Sequence, residues 1–461
     1  MAAPIFFDAT GKRRRYVGRL LFAVIALILA AAAVFAASVV NVPSGTPLSF
    51  GSEREQPLPF LARVARLRHG LPKLHFRESA PRELRVGFYV PWDESSLASL
   101  QRHIGQLDWV VADEGHIDSN RGKVDINPDP AFTRLIRTSL DHPARLLMVQ
   151  NFANEQWDSN GTARLLANRG LSDAMISDLL ASARTGGWNG VVFDIENLPD
   201  TAQASYLAML ERAHPLFRKN NLVVAVTAAA GQPPALLGRF GKATDYLFLM
   251  DYDQHWQGGE AGPIADNAWF GQQLAQARAQ VPAGKLIVAL GSYGYDWHDG
   301  KADALTMPEA WLSARDSGAQ PQFDPASGNS GFAFDDDGHR HIVWFLDAAA
   351  SWNQIGQLGK VAGFALWRLG SEDPGFWEDV AAMREGRLPR LGTIPPTEGT
   401  DVTGNGEILR IAAKPNGGAR DLRFDRQAII GENYRALPSP YQIQRTGAQD
   451  PKAIALSFDD G

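Results

Sequence analysis

Eight short apolar runs, each followed by a longer polar or helix-patterned stretch, limit what the middle of this chain can fold into. They fall at residues 84–90, 107–113, 145–151, 190–196, 222–227, 246–253, 285–291 and 361–368. Runs of this length, rich in Val, Ile, Leu and Phe, match strands buried on both faces, and connections this long allow the crossover helices that parallel strands need. Helices are expected at 172–185, 201–219, 272–280 and 348–358, with Leu274 and Ala277 as the apolar positions of the third. Eight such units predict an α/β fold, a closed (β/α)8 TIM barrel. Between Gly291 and Val361 lie about 70 residues, too many for a simple loop. A small antiparallel insertion between strands 7 and 8 is expected there, centred on 323–345, where Gly328, Gly331 and Gly338 are spaced among aromatics. Its acidic run, Asp335, Asp336 and Asp337, reads as a solvated hairpin tip, because no Gly and terminal Glu follow at calcium-loop spacing.

Polar residues at the carboxyl ends of barrel strands face the end where catalysis occurs. Gln150, Asn151, Asp194, Glu196, Tyr252, Asp253, Tyr293, Tyr295, Trp367 and Arg368 all occupy such positions. The fourth run, Gly190-Val191-Val192-Phe193, leads into Asp194 and Glu196, which period-2 alternation puts on one face roughly 7 Å apart. At that spacing each carboxyl shifts the other, and a raised-pKa acid beside an ionised group is a glycosidase pairing. Taken alone, the stretch reads more often as a helix N-cap and a surface charge than as a catalytic pair. Aromatic planes stack on sugar rings while carboxylates and amides bond hydroxyl and N-acetyl groups, so the set as a whole favours a carbohydrate ligand. Any one of Trp367, Tyr293 and Tyr295 alone would read as a core aromatic.

Asn189-Gly190-Val191-Val192-Phe193-Asp194-Ile195-Glu196 resembles the D-G-x-D-x-D-x-E signature of family 18 glycoside hydrolases, the chitinase-like barrels. Met250-Asp251-Tyr252-Asp253 resembles that family's M-x-Y-D, and Gly363-Phe364-Ala365-Leu366-Trp367 its eighth-strand Trp. Ser292-Tyr293-Gly294-Tyr295-Asp296-Trp297 and Trp367-Arg368-Leu369-Gly370-Ser371-Glu372-Asp373 are similar to the branch acting on cell-wall and spore-cortex glycans. The resemblance implies Glu196 as general acid and Asp194 as the group orienting the substrate's own N-acetyl, with Tyr252 bonding its carbonyl. Such substrate assistance dispenses with a carboxylate nucleophile. It further implies substrate contacts at Asp253, Met250, Asn151, Tyr293, Tyr295, Trp367 and Arg368, an N-acetylated polysaccharide or oligosaccharide as partner, and no cofactor for the barrel. Asn189 and Val192 stand where the family has Asp. That departure keeps open a non-catalytic barrel that binds polymer and positions it for a downstream deacetylase or glycosyltransferase.

A net charge of −6 supplies no basic footprint for nucleic acid. The absence of Cys excludes disulfides and thiolate catalysis. Lys12, Arg13, Arg14, Arg15 and Arg19 precede an uncharged run at 20–40, long enough to cross a bilayer once, with the basic tail (1–19) in the cytoplasm. A cleaved signal peptide, with Val34-Phe35-Ala36 near its cleavage site, is the alternative, but its apolar core is usually only about 7–15 residues long. The expectation is therefore a single-pass protein of the inner (cytoplasmic) membrane, a Pro-rich stalk at 41–82, and a barrel at 83–387 on the periplasmic or extracellular side.

Pro389, Pro395, Pro396, Gly399, Gly404 and Gly406 mark a linker at 388–406, and 407–450 reads as a small β-rich connector. Ala453-Ile454-Ala455-Leu456-Ser457-Phe458-Asp459-Asp460-Gly461 resembles the T-F-D-D-G motif of polysaccharide deacetylases. That resemblance implies Asp459 as base and Asp460 as a ligand to a divalent metal, completed by a later H-x-x-x-H pair. With no such pair after Gly461, residues 451–461 are expected to be the opening strand of a truncated deacetylase domain in a longer architecture. No metal site is complete, and no deacetylation is expected from this chain.

Overall fold

The eight apolar runs close into one parallel barrel. The structure, a computed structural model, describes residues 83–153 and 155–447. The expected basic tail, membrane span, stalk and deacetylase-like motif lie outside these residues, and among the described residues no helix is long and apolar enough to cross a membrane. The barrel strands are β1 (Leu84–Tyr89), β2 (Trp109–Asp118), β3 (Ala144–Gln150), β4 (Gly190–Asp194), β5 (Val223–Ala229), β6 (Tyr246–Met250), β7 (Leu286–Gly291) and β8 (Gly363–Trp367). Each pairs in parallel with the next, and β8 returns to β1 with Leu84 opposite Gly363. A short antiparallel strand, Lys123–Ile126, extends β2.

Both faces of these strands are buried, which explains why they read as continuous apolar runs. Val86, Val111, Met148, Val192, Ala225, Phe248, Ile287 and Ala365 point inward and fill the barrel. Val110, Leu147, Val191, Val224, Leu247, Val288 and Leu366 point outward and pack beneath the helices. The expected helices appear as Arg169–Thr185, Gln203–Lys219, Asn267–Gln280 and Ala348–Gln357. Shorter ones at Glu94–His103, Pro130–Thr138, Pro234–Ala243 and Gly375–Glu385 complete the ring, two of them started by the N-cap carboxylates of Asp93 and Asp129.

Strand ends depart from expectation where the site lies. β4 stops at Asp194, so Glu196 belongs to the following loop rather than to the same strand face. β6 stops at Met250, leaving Tyr252 and Asp253 beyond it, and Asp253 adopts a left-handed φ of 63°. β2 runs on to Asp118 through a bulge between Asp113 and Gly115. A Cβ on Gly115 would meet the Met148 carbonyl oxygen at 2.6 Å, so the bulge requires glycine there.

The insertion is larger than expected. It contains strands Gly294–His298, Lys301–Leu305, Gln322–Asp324, Asn329–Asp336 and His339–Phe345 and the helix Met307–Ser317. Its hairpin turns at Asp337 and Gly338, both at positive φ, with Asp335 ion-paired to Arg340 at the exposed tip. The same sheet continues into Ala428–Ala436, Gly418–Asp425 and Thr393–Ile394. Residues expected as linker and connector are thus strands of the insertion's own sheet, joined where Gln322 pairs with Asn433. Thr400–Thr403, Ile408–Ala413 and Tyr441–Thr446 form a separate three-stranded sheet.

Candidate active site

At the carboxyl end of the barrel the inward positions turn from apolar to polar. Asp194 is 4% exposed and accepts a 2.6 Å hydrogen bond from Thr227 Oγ1 at the same level of β5. On its other side, Gln150 lies opposite Asp194 in the β3–β4 register and donates to Asp113, whose second oxygen accepts from Trp92 Nε1 at 3.3 Å. Burial lifts the Asp194 carboxyl to about 6; the Thr227 bond opposes the rise and the Asp113 charge adds to it.

Glu196 sits above this ring, and Asn151 fixes its backbone from both sides. The Asn151 Nδ2 donates to the Glu196 carbonyl at 3.0 Å, and the Glu196 N–H donates to Asn151 Oδ1 at 2.9 Å. Burial pushes the Glu196 carboxyl up to about 9, with the charges of Asp194 and Asp253 reinforcing it. At neutral pH Glu196 therefore keeps its proton while Asp194 is largely ionised, a division of labour that acid catalysis needs.

The far wall is phenolic. Tyr252 is nearly buried, and burial together with the Asp253, Glu196 and Asp194 charges keeps it a neutral hydrogen-bond donor. Asp253 accepts from the Tyr293 hydroxyl and from the Tyr295 hydroxyl, the latter at 3.1 Å. Tyr252, Tyr293, Tyr295 and Trp297 then run edge to face with centroids 5.9, 5.5 and 5.4 Å apart. Trp367 ends β8 with its ring against Phe88 at 5.3 Å.

The structure therefore brings Asp194, Glu196, Tyr252, Asp253, Tyr293 and Tyr295 into one network. Three expected substrate contacts are otherwise engaged. Asn151 is 1% exposed and spends its amide on the Glu196 backbone, which makes it a positioning residue. Arg368 ion-pairs with Asp93 and lies over the Trp92 ring at 4.3 Å. Met250, half-buried, packs against the barrel interior. Asp113, Thr227 and Trp92 were not expected. The signal for the first two was available, since each is the last inward position of its expected strand by period-2 counting. Of the two departures from the family signature, Asn189 Oδ1 accepts from the Arg145 N–H at 2.8 Å, at the start of β4, and Val192 is fully buried between Met148 and Ala225.

Residues 86–372 match the family described as Glycosyl hydrolases family 18, and the chain belongs to it. Among curated proteins, the "Uncharacterized glycosylase YvbX" of Bacillus subtilis (strain 168) is 23% identical over 316 residues, 65% of this chain and 90% of that protein. The "Cortical fragment-lytic enzyme" of the same organism is 24% identical over 259 residues, 52% of this chain, which spans only 60% of that enzyme's length. Two solved structures share the fold. A chitinase from Chromobacterium violaceum ATCC 12472 superposes with a TM-score of 0.59 at 24% identity, covering 65% of this chain and 98% of that one. The Bacillus cereus spore cortex-lytic enzyme SleL gives 0.58 at 19%, covering 66% and 75%.

Proposed function

We propose that the barrel hydrolyses N-acetylglucosamine-containing polysaccharide with retention of configuration, using the substrate's own acetamido group as nucleophile. The observation that carries this reading is a buried Glu196, its backbone clamped by Asn151 and its carboxyl pushed up to about 9, beside an Asp194 bonded to Thr227. Relatives named as chitinase and as cortex-lytic enzymes support this class of glycan. Glu196 gives its proton to the glycosidic oxygen as that bond breaks, and the acetamido oxygen closes onto the anomeric carbon. Asp194 accepts the amide N–H and so holds the acetamido group in its reactive orientation, while Tyr252 donates to its oxygen. Water then attacks the anomeric carbon and gives its proton to the Glu196 carboxylate while the bond to the acetamido oxygen breaks, restoring the N-acetyl group and the enzyme.

Val192 favours a second reading. It leaves Asp194 without the carboxylate neighbour on β4 that the family signature supplies, as a barrel kept for binding polymer would. One substitution separates the two. Under the hydrolase reading, Glu196→Gln lowers turnover of N-acetylated oligosaccharides by at least about 100-fold with unchanged affinity, followed by mass-spectrometric product analysis and calorimetry. Equal binding by both proteins with no product from wild type would establish the binding barrel instead.

A further inference from the structure

The strand Gly294–His298 has two faces. One carries Tyr295 and Trp297 toward the active site, and the other carries Asp296 and His298. Trp297 lies opposite Ile342 on the neighbouring strand His339–Phe345, which brings His298 beside His341, and Asp296 lies opposite Asp303 on the other neighbour. The two imidazoles stack at 4.6 Å, and the ligand-capable atoms of Asp296, His298 and His341 all lie within 4.8 Å of one another. The three side chains are only 12%, 13% and 15% exposed.

We infer that Asp296, His298 and His341 form a binding site for a divalent transition ion of the zinc class, on the back of the strand that supplies the tyrosine wall. Two imidazoles and a carboxylate suit such an ion, whereas calcium and magnesium prefer oxygen alone. Asp296 is nine-tenths buried, and its Oδ1 has no hydrogen-bond partner although Oδ2 bonds His341 Nδ1 at 2.8 Å. A buried carboxylate oxygen left unpaired is costly, and coordination would satisfy it. A flanking carboxylate is already in place, with Asp303 2.8 Å from His298 Nε2. Asp303 also neutralises Lys301, which stands opposite His298 with its Nζ 3.8 Å from that carboxylate. Carboxylates bonded to a ligand imidazole orient it and raise its basicity. A metal here would pin strand Gly294–His298 to strand His339–Phe345 and so hold Tyr295 against Asp253.

The test uses the full chain without a histidine tag, stripped with chelator and titrated with zinc chloride by calorimetry. Cobalt chloride, followed by visible absorption, reports the donor set. One equivalent of zinc at micromolar concentration, a zinc-dependent rise in melting temperature and cobalt d–d bands are expected, none of them displaced by excess calcium. His298→Ala and His341→Phe should each weaken zinc binding by more than the roughly 100-fold that loss of an outer partner can cost. The phenylalanine keeps the ring stacked on Phe334, 4.5 Å away, so its melting temperature in chelator should match wild type. Asp296→Asn, which keeps shape and removes charge, gives the same answer if either His variant fails to fold. No saturable zinc binding by wild type, displacement by calcium, or folded variants that bind like wild type would each overturn the site. None of these readouts depends on glycan hydrolysis.

Discussion

Asp194 and Glu196 are two interacting carboxyls whose surroundings push both upward by different amounts, and the difference predicts a pH profile. In the proposed mechanism Glu196 must carry its proton to act as acid, so activity should fall as pH rises through about 9. In the same mechanism Asp194 must be ionised to hold the acetamido N–H, so activity should fall as pH drops through about 6. The two limbs belong to the interacting pair rather than to either residue alone. A bell-shaped kcat/KM between them, measured on an N-acetylated oligosaccharide, is the expected outcome. Asp113→Asn removes a negative charge that raises the Asp194 pKa, so the acid limb should move to lower pH while the alkaline limb stays. A fixed acid limb would show that Asp113 does not act on Asp194. The placement of Asp194, Glu196, Tyr252 and Asp253 at the carboxyl end of the barrel was legible in the sequence, although Glu196 lies in the loop after β4 and not on its face. The work of Asn151 was not, because its partner is the backbone of a loop whose path is set only once β4 ends.

At the scale of the element, strand interiors were legible and strand ends were not. Burial on both faces writes itself as an unbroken apolar run, whereas an end depends on what the next residues meet in space. Tyr252 and Asp253 continue the alternation of β6, yet Asp253 turns left-handed to reach the hydroxyls of Tyr293 and Tyr295, more than 39 residues away. β4 shows the opposite case, where register decides. Val192 faces inward two residues below Asp194, level with Met148 and Ala225, and is completely buried. Placing the family's Asp there puts a carboxylate into an apolar layer, at a cost of several kcal/mol unless it takes a proton. Val192→Asp should therefore lower the melting temperature with no gain in turnover. A variant that melts with wild type and turns over faster would mean that the layer admits a proton-sharing partner after all.

At the scale of the whole described fold, the misread boundary lies after the barrel. Proline and glycine punctuation made residues 388–406 look like a spacer, because local turn chemistry reads alike whether the strands between the turns are free or paired. The pairing is decided by distant residues. Trp352 Nε1 donates to the Gln427 carbonyl at 2.5 Å, and Asn353 exchanges two 2.8 Å hydrogen bonds with Ile429. Arg420, fully buried, ion-pairs with Asp373 just past β8 at 2.7 Å and with Glu432 at 3.0 Å. Removing one partner of such a buried cluster leaves charge without compensation, at about 3–5 kcal/mol. Arg420→Met, which keeps most of the volume and no charge, should lower the midpoint of urea unfolding of the whole chain, and ending the chain after Arg387 should lower it further by also removing Leu391 and Ile429 from above Trp352 and Ala349. The comparison is decisive because an independent connector predicts the reverse. If unfolding of the barrel, followed by tryptophan fluorescence, occurs at the wild-type urea concentration in both proteins, the strands after Arg387 add nothing to the barrel's stability, and the buried Arg420 pairs serve only the connector's own fold.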